Sequence, residues 1–280
     1  MMKLFLTCAA VLTGGAMLAP ADAPADKTTR QTAESAAFAN YVLQCIQKMP
    51  RGGGYSGTPE TVNALVGNVV QWNKKKQKLT IQPQRAQPSF CSGACYLVLL
   101  QALQMWEQHS GKRLSPQAWK AFAISIDQAD GHGIWGRANA NGPGFAKLVA
   151  DVGAGINFTD VKQARPGDFL KIFWTPNIGR KERGHLVVYL GTVQQGGKTH
   201  IKYWSANKPE GYGIKTAPLH NTHNLIFTRI TTPQAFNKTP QLSPTDAWLE
   251  AMLRQDFSFA EVRRKCNIQK NANIHLHVER

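Results

Sequence analysis

The stretch Phe90-Cys91-Ser92-Gly93-Ala94-Cys95 runs directly into the apolar segment Tyr96 to Leu103, and reads as the point where a loop becomes a helix. A helix start presents unpaired backbone N–H groups and the positive end of the helix dipole. Both favour a thiolate over a thiol, which makes Cys91 a candidate nucleophile. The helix from Cys91 to about His109 is strongly apolar in its first half and should be central and buried. Far downstream, Gly184-His185-Leu186-Val187-Val188-Tyr189-Leu190-Gly191 reads as a strand opened by a histidine. Its alternation sets His185, Val187 and Tyr189 on one face and Leu186, Val188 and Leu190 on the other. Gly184 permits close approach at the histidine.

Outward from these two segments, residues 31–48 read as a helix with the stripe Phe38, Tyr41, Val42, Cys45 and Met49, broken by Arg51-Gly52-Gly53-Gly54. Thr58-Pro59-Glu60 opens a second helix, which Val62, Leu65, Val66, Val69 and Val70 carry to about Asn73, with Lys74-Lys75-Lys76 as its solvated end. Gln82 to Ser89 is an extended lead-in. Ser115-Pro116-Gln117 starts a helix that reaches about Ile126. Residues 127–144, rich in Gly, Asn and Asp, read as a long loop of the kind that is often functional. A short helix, Phe145 to Val152, follows. The pattern then changes to strands at Asp168–Trp174, His185–Leu190, Lys198–Ala206 and Leu225–Ile230. The tail returns to helix after Ser243-Pro244-Thr245-Asp246 and again at Phe259–Cys266. Helices first and strands after predict an α+β fold.

Residues 1–25 read as a secretory signal: Lys3, a mostly apolar Leu4–Leu18, and Ala23-Pro24-Ala25 before a cut at Asp26. Cys8, with Phe5-Leu6-Thr7 as a poor lead-in, does not read as a lipidation site. No later stretch is long and apolar enough to span a membrane. The expected chain is therefore secreted or periplasmic. Its divisions are an N-terminal helical extension (26–86), a central domain (87–232) and a C-terminal helical tail (233–280). The formal charge is +16. Outside a cell membrane the anionic partners are wall polymers, lipid head groups and carboxylate-bearing peptides, and no nucleic-acid motif stands out. The plainer account is that the charge maintains solubility.

Without Cys8, the cysteines are Cys45, Cys91, Cys95 and Cys266, with neither C-x-x-C nor zinc-finger spacing, so no metal site is expected. Cys95 reads as a small core residue. If Cys91 stays reduced, Cys45 with Cys266 is the natural disulfide; two buried thiols is the alternative. A nucleophilic cysteine needs a base, a group that orients the base, and oxyanion donors. His185 is the candidate base. Ser205 and Asn207 share a face of the neighbouring strand, and Asn207 is preferred as the orienting group because it can accept an imidazole N–H. The N–H groups of Cys91 and Ser92 are the candidate oxyanion donors. Each residue alone also has a plain structural reading, and His132, between two glycines, reads as solvent-exposed. His275 and His277 read as an edge strand.

Three segments together carry a resemblance. Cys91-Ser92-Gly93 is similar to the D-C-S-G opening of NlpC/P60 cysteine peptidases. Ala164-Arg165-Pro166-Gly167-Asp168-Phe169-Leu170 resembles that family's P-G-D-L strand, and Gly184 to Gly191 resembles its G-H-V-G-I-Y-L-G strand. CHAP amidases share the last two features. The resemblance covers roughly residues 88–230. It implies a papain-like core in which a helix carrying the cysteine packs on an antiparallel sheet carrying the histidine. The implied activity is hydrolysis of amide bonds in peptidoglycan stem peptides, without a cofactor. Phe90 stands where the family has Asp, the interval from Cys91 to His185 is long, and Trp204-Ser205-Ala206-Asn207 occupies the region of the family's third polar residue.

The expectation is a cysteine peptidase or amidase with Cys91, His185 and Asn207 as its catalytic residues and Ser92 and Ser205 in support. Trp135, Arg137 and Trp204 are expected at the substrate: Trp135 as an apolar wall and Arg137 as a carboxylate partner. The expected partner is peptidoglycan peptide, the expected state a monomer. Two alternatives are a non-catalytic wall-binding protein on the same fold, and an antibacterial toxin with an inhibitor or immunity protein as its partner.

Overall fold

A computed structural model describes residues 27–124 and 129–268. The signal segment, Cys8, and His275 and His277 lie outside the described residues, and the helix expected to reach Ile126 instead ends at Ala121, with Phe122 as its C-cap.

In chain order the elements are α1 (Lys27–Lys48), β1 (Gly52–Gly53), α2 (Pro59–Ala64), β2 (Val70–Asn73), β3 (Lys78–Ile81), α3 (Cys91–Ser110), α4 (Pro116–Ala121), α5 (Gly133–Asn139), α6 (Gly144–Val152), β4 (Gly155–Phe158), β5 (Phe169–Phe173), β6 (Gly184–Gln195), β7 (Lys198–Asn207), β8 (Gly211–Pro218), β9 (Asn224–Ile230), α7 (Ala247–Ala251) and α8 (Phe259–Lys265). Seven strands form one sheet in the order β1-β8-β7-β6-β5-β9-β4, every neighbouring pair antiparallel. The fold is α+β.

The alternation along β6 separates two cores. Leu186 and Val188 lie with Phe169, Trp204 and Ala206 against α1 and α3, while Val187 and Tyr189 join Ile172, Tyr203 and Phe227 on the opposite face. α3 is buried on nearly every side over Gly93 to Leu100, and each of its leucines contributes about 1.5–3 kcal/mol by leaving water. The helix ends at Gly111, whose φ of 69° supplies the left-handed turn that closes it. The stripe on α1 packs as its spacing predicts: Phe38, Val42, Cys45 and Met49 are buried in the same cluster as α3. A third cluster gathers Phe173, Ile178 and Ile226 beneath Leu249, Met252, Val262 and Cys266 of the C-terminal helices.

The Pro166-Gly167-Asp168 turn is a structural clamp. Gly167 has φ +94°, and a Cβ there would come within 2.7 Å of the Ala39 carbonyl oxygen on α1. Asp168 is buried; Arg229 of β9 donates to its two oxygens from Nε at 2.9 Å and Nη2 at 2.7 Å, and the Arg165 N–H donates at 2.8 Å. The start of β5 is thereby tied to β9 and to its own turn.

Several sequence expectations are corrected. The second helix stops at Ala64, passes through a π-turn at Leu65–Val69 and becomes β2, which pairs with β3. The β-branched Val70 opens the strand, and Lys74 to Lys76 form the hairpin turn rather than a helix end. The stretch read as a loop at 127–144 contains α5. The expected bridge is absent: Cys45 and Cys266 are free, buried thiols in separate clusters, with Cys45 Sγ 3.5 Å from Met105 Sδ. Burial pushes each of them up to about 12. Among the described residues no helix is long and apolar enough to cross a membrane.

Candidate active site

Cys91 is the first residue of α3. Phe90 at the N-cap provides no side-chain cap, so the N–H groups of the first turn remain available to groups outside the helix. The sulfur lines a cleft of about 330 Å³ together with Tyr55, Ser92, Asp130, Asn139, Lys171 and Glu182. Burial alone would raise the thiol. A hydrogen bond and the charge of His185, the backbone of Leu186 and the charge of Lys171 outweigh it and bring Cys91 down to about 6. One turn along, Cys95 goes the opposite way: burial and the neighbouring Cys91 hold it well above the ordinary thiol value. The two cysteines on one helix therefore have different chemistry.

His185 opens β6 opposite Ile172 of β5, and its ring meets Tyr203 edge-on at 5.6 Å between centroids. Its Nε2 lies 3.0 Å from Asn207 Oδ1. The amide of Asn207 is oriented by its own donors, since Nδ2 reaches the carbonyl oxygens of Ser205 at 3.0 Å and Gly213 at 2.9 Å. Oδ1 therefore faces the imidazole as an acceptor, which assigns the proton to Nε2 and leaves Nδ1 as the base nitrogen for the sulfur. Asn207 is buried at the end of β7, where its pairing with Gly211 of β8 fixes its position. Ser205 is buried one pleat away and donates to the Leu186 carbonyl at 2.8 Å. It braces the strand beside His185 and does not face the cleft.

Tyr55 is the site residue that sequence reasoning missed. Its ring lines the cleft beside Cys91, and its hydroxyl is close enough to respond to both the side chain and the backbone of that residue. Burial first, and then the neighbouring Cys91 charge, hold it well above the ordinary phenol value, so it stays a protonated donor at the sulfur. The chain delivers it there through Gly52, Gly53 and Gly54, all with positive φ, and a bridge to Ser89 next to the start of α3. Lys208 stands over the other side of its ring at 5.2 Å.

A polar chain joins the mouth of the cleft to α3. Ser92 Oγ donates to Asn139 Oδ1 at 2.6 Å, Asn139 Nδ2 donates to Asp130 Oδ1 at 3.0 Å, and the Asn141 N–H donates to Asp130 Oδ2 at 3.1 Å. The Gly/Asn-rich segment does border the cleft, through Asp130 and residues 138–143. The three residues expected to touch substrate lie elsewhere. Trp135 is buried, edge-on to Tyr96 at 5.0 Å and to Phe90 at 6.1 Å. Arg137 is buried and donates to Asp246 at 2.9 Å and to the Ser243 carbonyl at 2.8 Å, with Asp151 at 3.5 Å. Trp204 stacks on Tyr212 in the α3-facing core. His132 is partly exposed, 3.2 Å from the Thr245 hydroxyl.

The arrangement combines a thiol brought down to about 6, an imidazole held in place by Asn207, and hydroxyl and backbone donors around the sulfur. This set of groups is sufficient for nucleophilic attack on a carbonyl and for proton delivery to a leaving group. No protein-family model, curated protein or solved structure matches the chain.

Proposed function

We propose that the chain is an exported cysteine hydrolase that cleaves amide bonds in peptidoglycan stem peptides, built on a papain-like core of the NlpC/P60 type. The observation that supports this reading is that Cys91, which lines the cleft, is brought against His185 across 94 residues of chain, with His185 Nε2 held 3.0 Å from Asn207 Oδ1. The P-G-D and G-H-x-x-x-Y-L-G segments support the family reading, and the basic balance of the chain suits an anionic wall.

In the proposed reaction the Cys91 thiolate attacks the amide carbonyl carbon and forms a carbon–sulfur bond. The carbonyl electrons move to oxygen, and the Tyr55 hydroxyl with the first-turn N–H groups of α3 stabilise that oxyanion. His185, protonated at the stage of the thiolate–imidazolium pair, gives its proton to the leaving amine as the carbon–nitrogen bond breaks. Water, deprotonated by His185, then attacks the thioester, releasing the carboxylic acid and regenerating the pair. Asn207 keeps the imidazole in position throughout.

Cys91→Ala tests the reading. Purified sacculi should be solubilised by the wild type and left intact by the variant, with both proteins melting at the same temperature; equal activity in the two refutes the assignment.

A further inference from the structure

Glu182 lies on the connection between β5 and β6 with its side chain about 5 % exposed, and lines the same cleft as Cys91. One oxygen, Oε1, is paired with Lys171 Nζ. The other, Oε2, is buried and has no hydrogen-bond partner among the described residues. An ionised carboxylate is acceptor-only, and leaving such a lone pair buried is costly. A second carboxylate, Asp130, faces the cleft close enough to respond to both Lys171 and Glu182. Two carboxylates with one lysine leave this corner one cation short, in a chain whose overall charge is +16.

The corner is built, not incidental. The segment carrying Glu182 is held by the C-terminal region: Phe257 N–H to the Ile178 carbonyl at 2.8 Å, Lys181 N–H to Asp256 Oδ1 at 2.8 Å, and Arg180 N–H to the Gln255 carbonyl at 3.2 Å. A Cβ at Gly184 would come within 2.5 Å of Glu182 Oε1, so a larger residue beside the candidate base would push the carboxylate out of place. Asp130 is fixed by Asn139 and Asn141 as described above.

We propose that this corner of the cleft is a subsite for a protonated amino group of the substrate, with Glu182 Oε2 as its acceptor and Asp130 as the second carboxylate. A primary ammonium supplies both what the orphaned oxygen lacks, an N–H donor, and the missing positive charge. The proposal rests on the hydrolase reading for its biological meaning, and what it adds is a contact: Glu182 and Asp130 hold a primary ammonium of the substrate beside the Cys91 sulfur.

The deciding experiment reads the charge of the corner through the Cys91 sulfur and needs no turnover. Cys91 is modified with a cationic (aminoethyl) and an anionic (sulfonatoethyl) methanethiosulfonate, and the rate ratio is divided by the same ratio for 2-mercaptoethanol. Wild type should favour the cation by roughly 10-fold or more, despite the basic chain, because a charged buried hydrogen bond carries about that factor. Glu182→Gln should abolish the preference, and Lys171→Gln, which removes the competing cation, should increase it. Equal normalised ratios in wild type and Glu182→Gln, or a wild-type preference for the anion, overturn the subsite. On sacculi, acetylating the amino groups should lower wild-type kcat/KM roughly 10- to 100-fold and barely change Glu182→Gln. If wild type cleaves both substrates equally while Cys91→Ala cleaves neither, the amine subsite falls and the hydrolase stands. If wild type cleaves neither, the hydrolase reading falls and the thiosulfonate ratio alone decides the subsite.

Discussion

Replacing His185 with Ala should change when Cys91 ionises more than how fast it reacts at one pH. In the wild type the thiol is held at about 6, against the burial that would raise it, chiefly by the hydrogen bond and charge of His185. Without the imidazole, the Leu186 backbone and Lys171 remain, but burial is then opposed only weakly. The midpoint should rise to the ordinary thiol value of about 8.5 or above. A shift of about 2.5 units corresponds to roughly 3 kcal/mol of lost thiolate stabilisation. At pH 7 the ionised fraction would fall about 30-fold by that shift. A thiolate of higher pKa is intrinsically more nucleophilic, however, by about 10-fold over the same interval. The two effects largely offset each other and leave about a three-fold net loss at pH 7, so a single rate would mislead. The assay is therefore the full pH profile of iodoacetamide alkylation, with mass spectrometry identifying Cys91 as the site. A wild-type midpoint near 6 that moves up by two units or more in His185→Ala is the expected result. A wild-type midpoint near 8.5, or one unchanged by the substitution, would refute the electrostatic account of the site.

Tyr55→Phe removes the hydroxyl at the sulfur and keeps the ring under Lys208, so turnover should fall roughly 10²-fold while unfolding free energy moves by less than about 1 kcal/mol. Asn207→Ala should lower kcat and, because its amide also ties Ser205 to Gly213, cost roughly 1–3 kcal/mol in urea unfolding. Arg137→Ala removes the buried donor to Asp246 and to the Ser243 carbonyl but leaves Lys147 beside Asp246 and Asp151, so it should cost roughly 1–3 kcal/mol of stability, with the Cys91 alkylation midpoint unchanged. Cys45 is raised to about 12 by burial. A group with a raised folded-state value adds stability fully present below its unfolded value near 8.5 and lost as pH climbs toward 12. Between pH 8.5 and 10 it should account for about 2 kcal/mol of alkaline destabilisation, which denaturant titrations of Cys45→Ala should lack.

The parts of the site carried by strong local patterns were legible in the sequence. Cys91 stands where an apolar helix begins, His185 opens an alternating strand, and Asn207 follows from parity along β7. The long-range geometry had no such signal. Tyr55 follows three glycines with no periodic neighbours, and reaches Cys91 only because the chain folds back beside Ser89. Trp135 and Arg137 were read as groove residues because Gly, Asn and Asp surround them. The apolar side chains of Ile134 and Trp135 nevertheless suffice to fold that stretch into α5 and bury it, and Arg137 follows because Asp246 waits as its partner. β8 escaped notice since Gly211, Gly213 and Pro218 mask its alternation and Ile214 points to solvent. The apolar run through Val70 mimicked a helix, because a run of valines satisfies helical and strand periods alike until its pairing with β3 decides. The disulfide expectation failed on distance in the fold: two thiols at the ends of the chain were drawn into separate cores.

The most direct measurement is hydrolysis of defined peptidoglycan in ¹⁸O-water, followed by mass spectrometry of the fragments. The account predicts that wild-type protein yields paired fragments with a new amine on one and a single ¹⁸O in the new carboxyl of the other, and that Cys91→Ala yields none. Labelled fragments from Cys91→Ala at the wild-type rate, or an unchanged polymer in both, would contradict it.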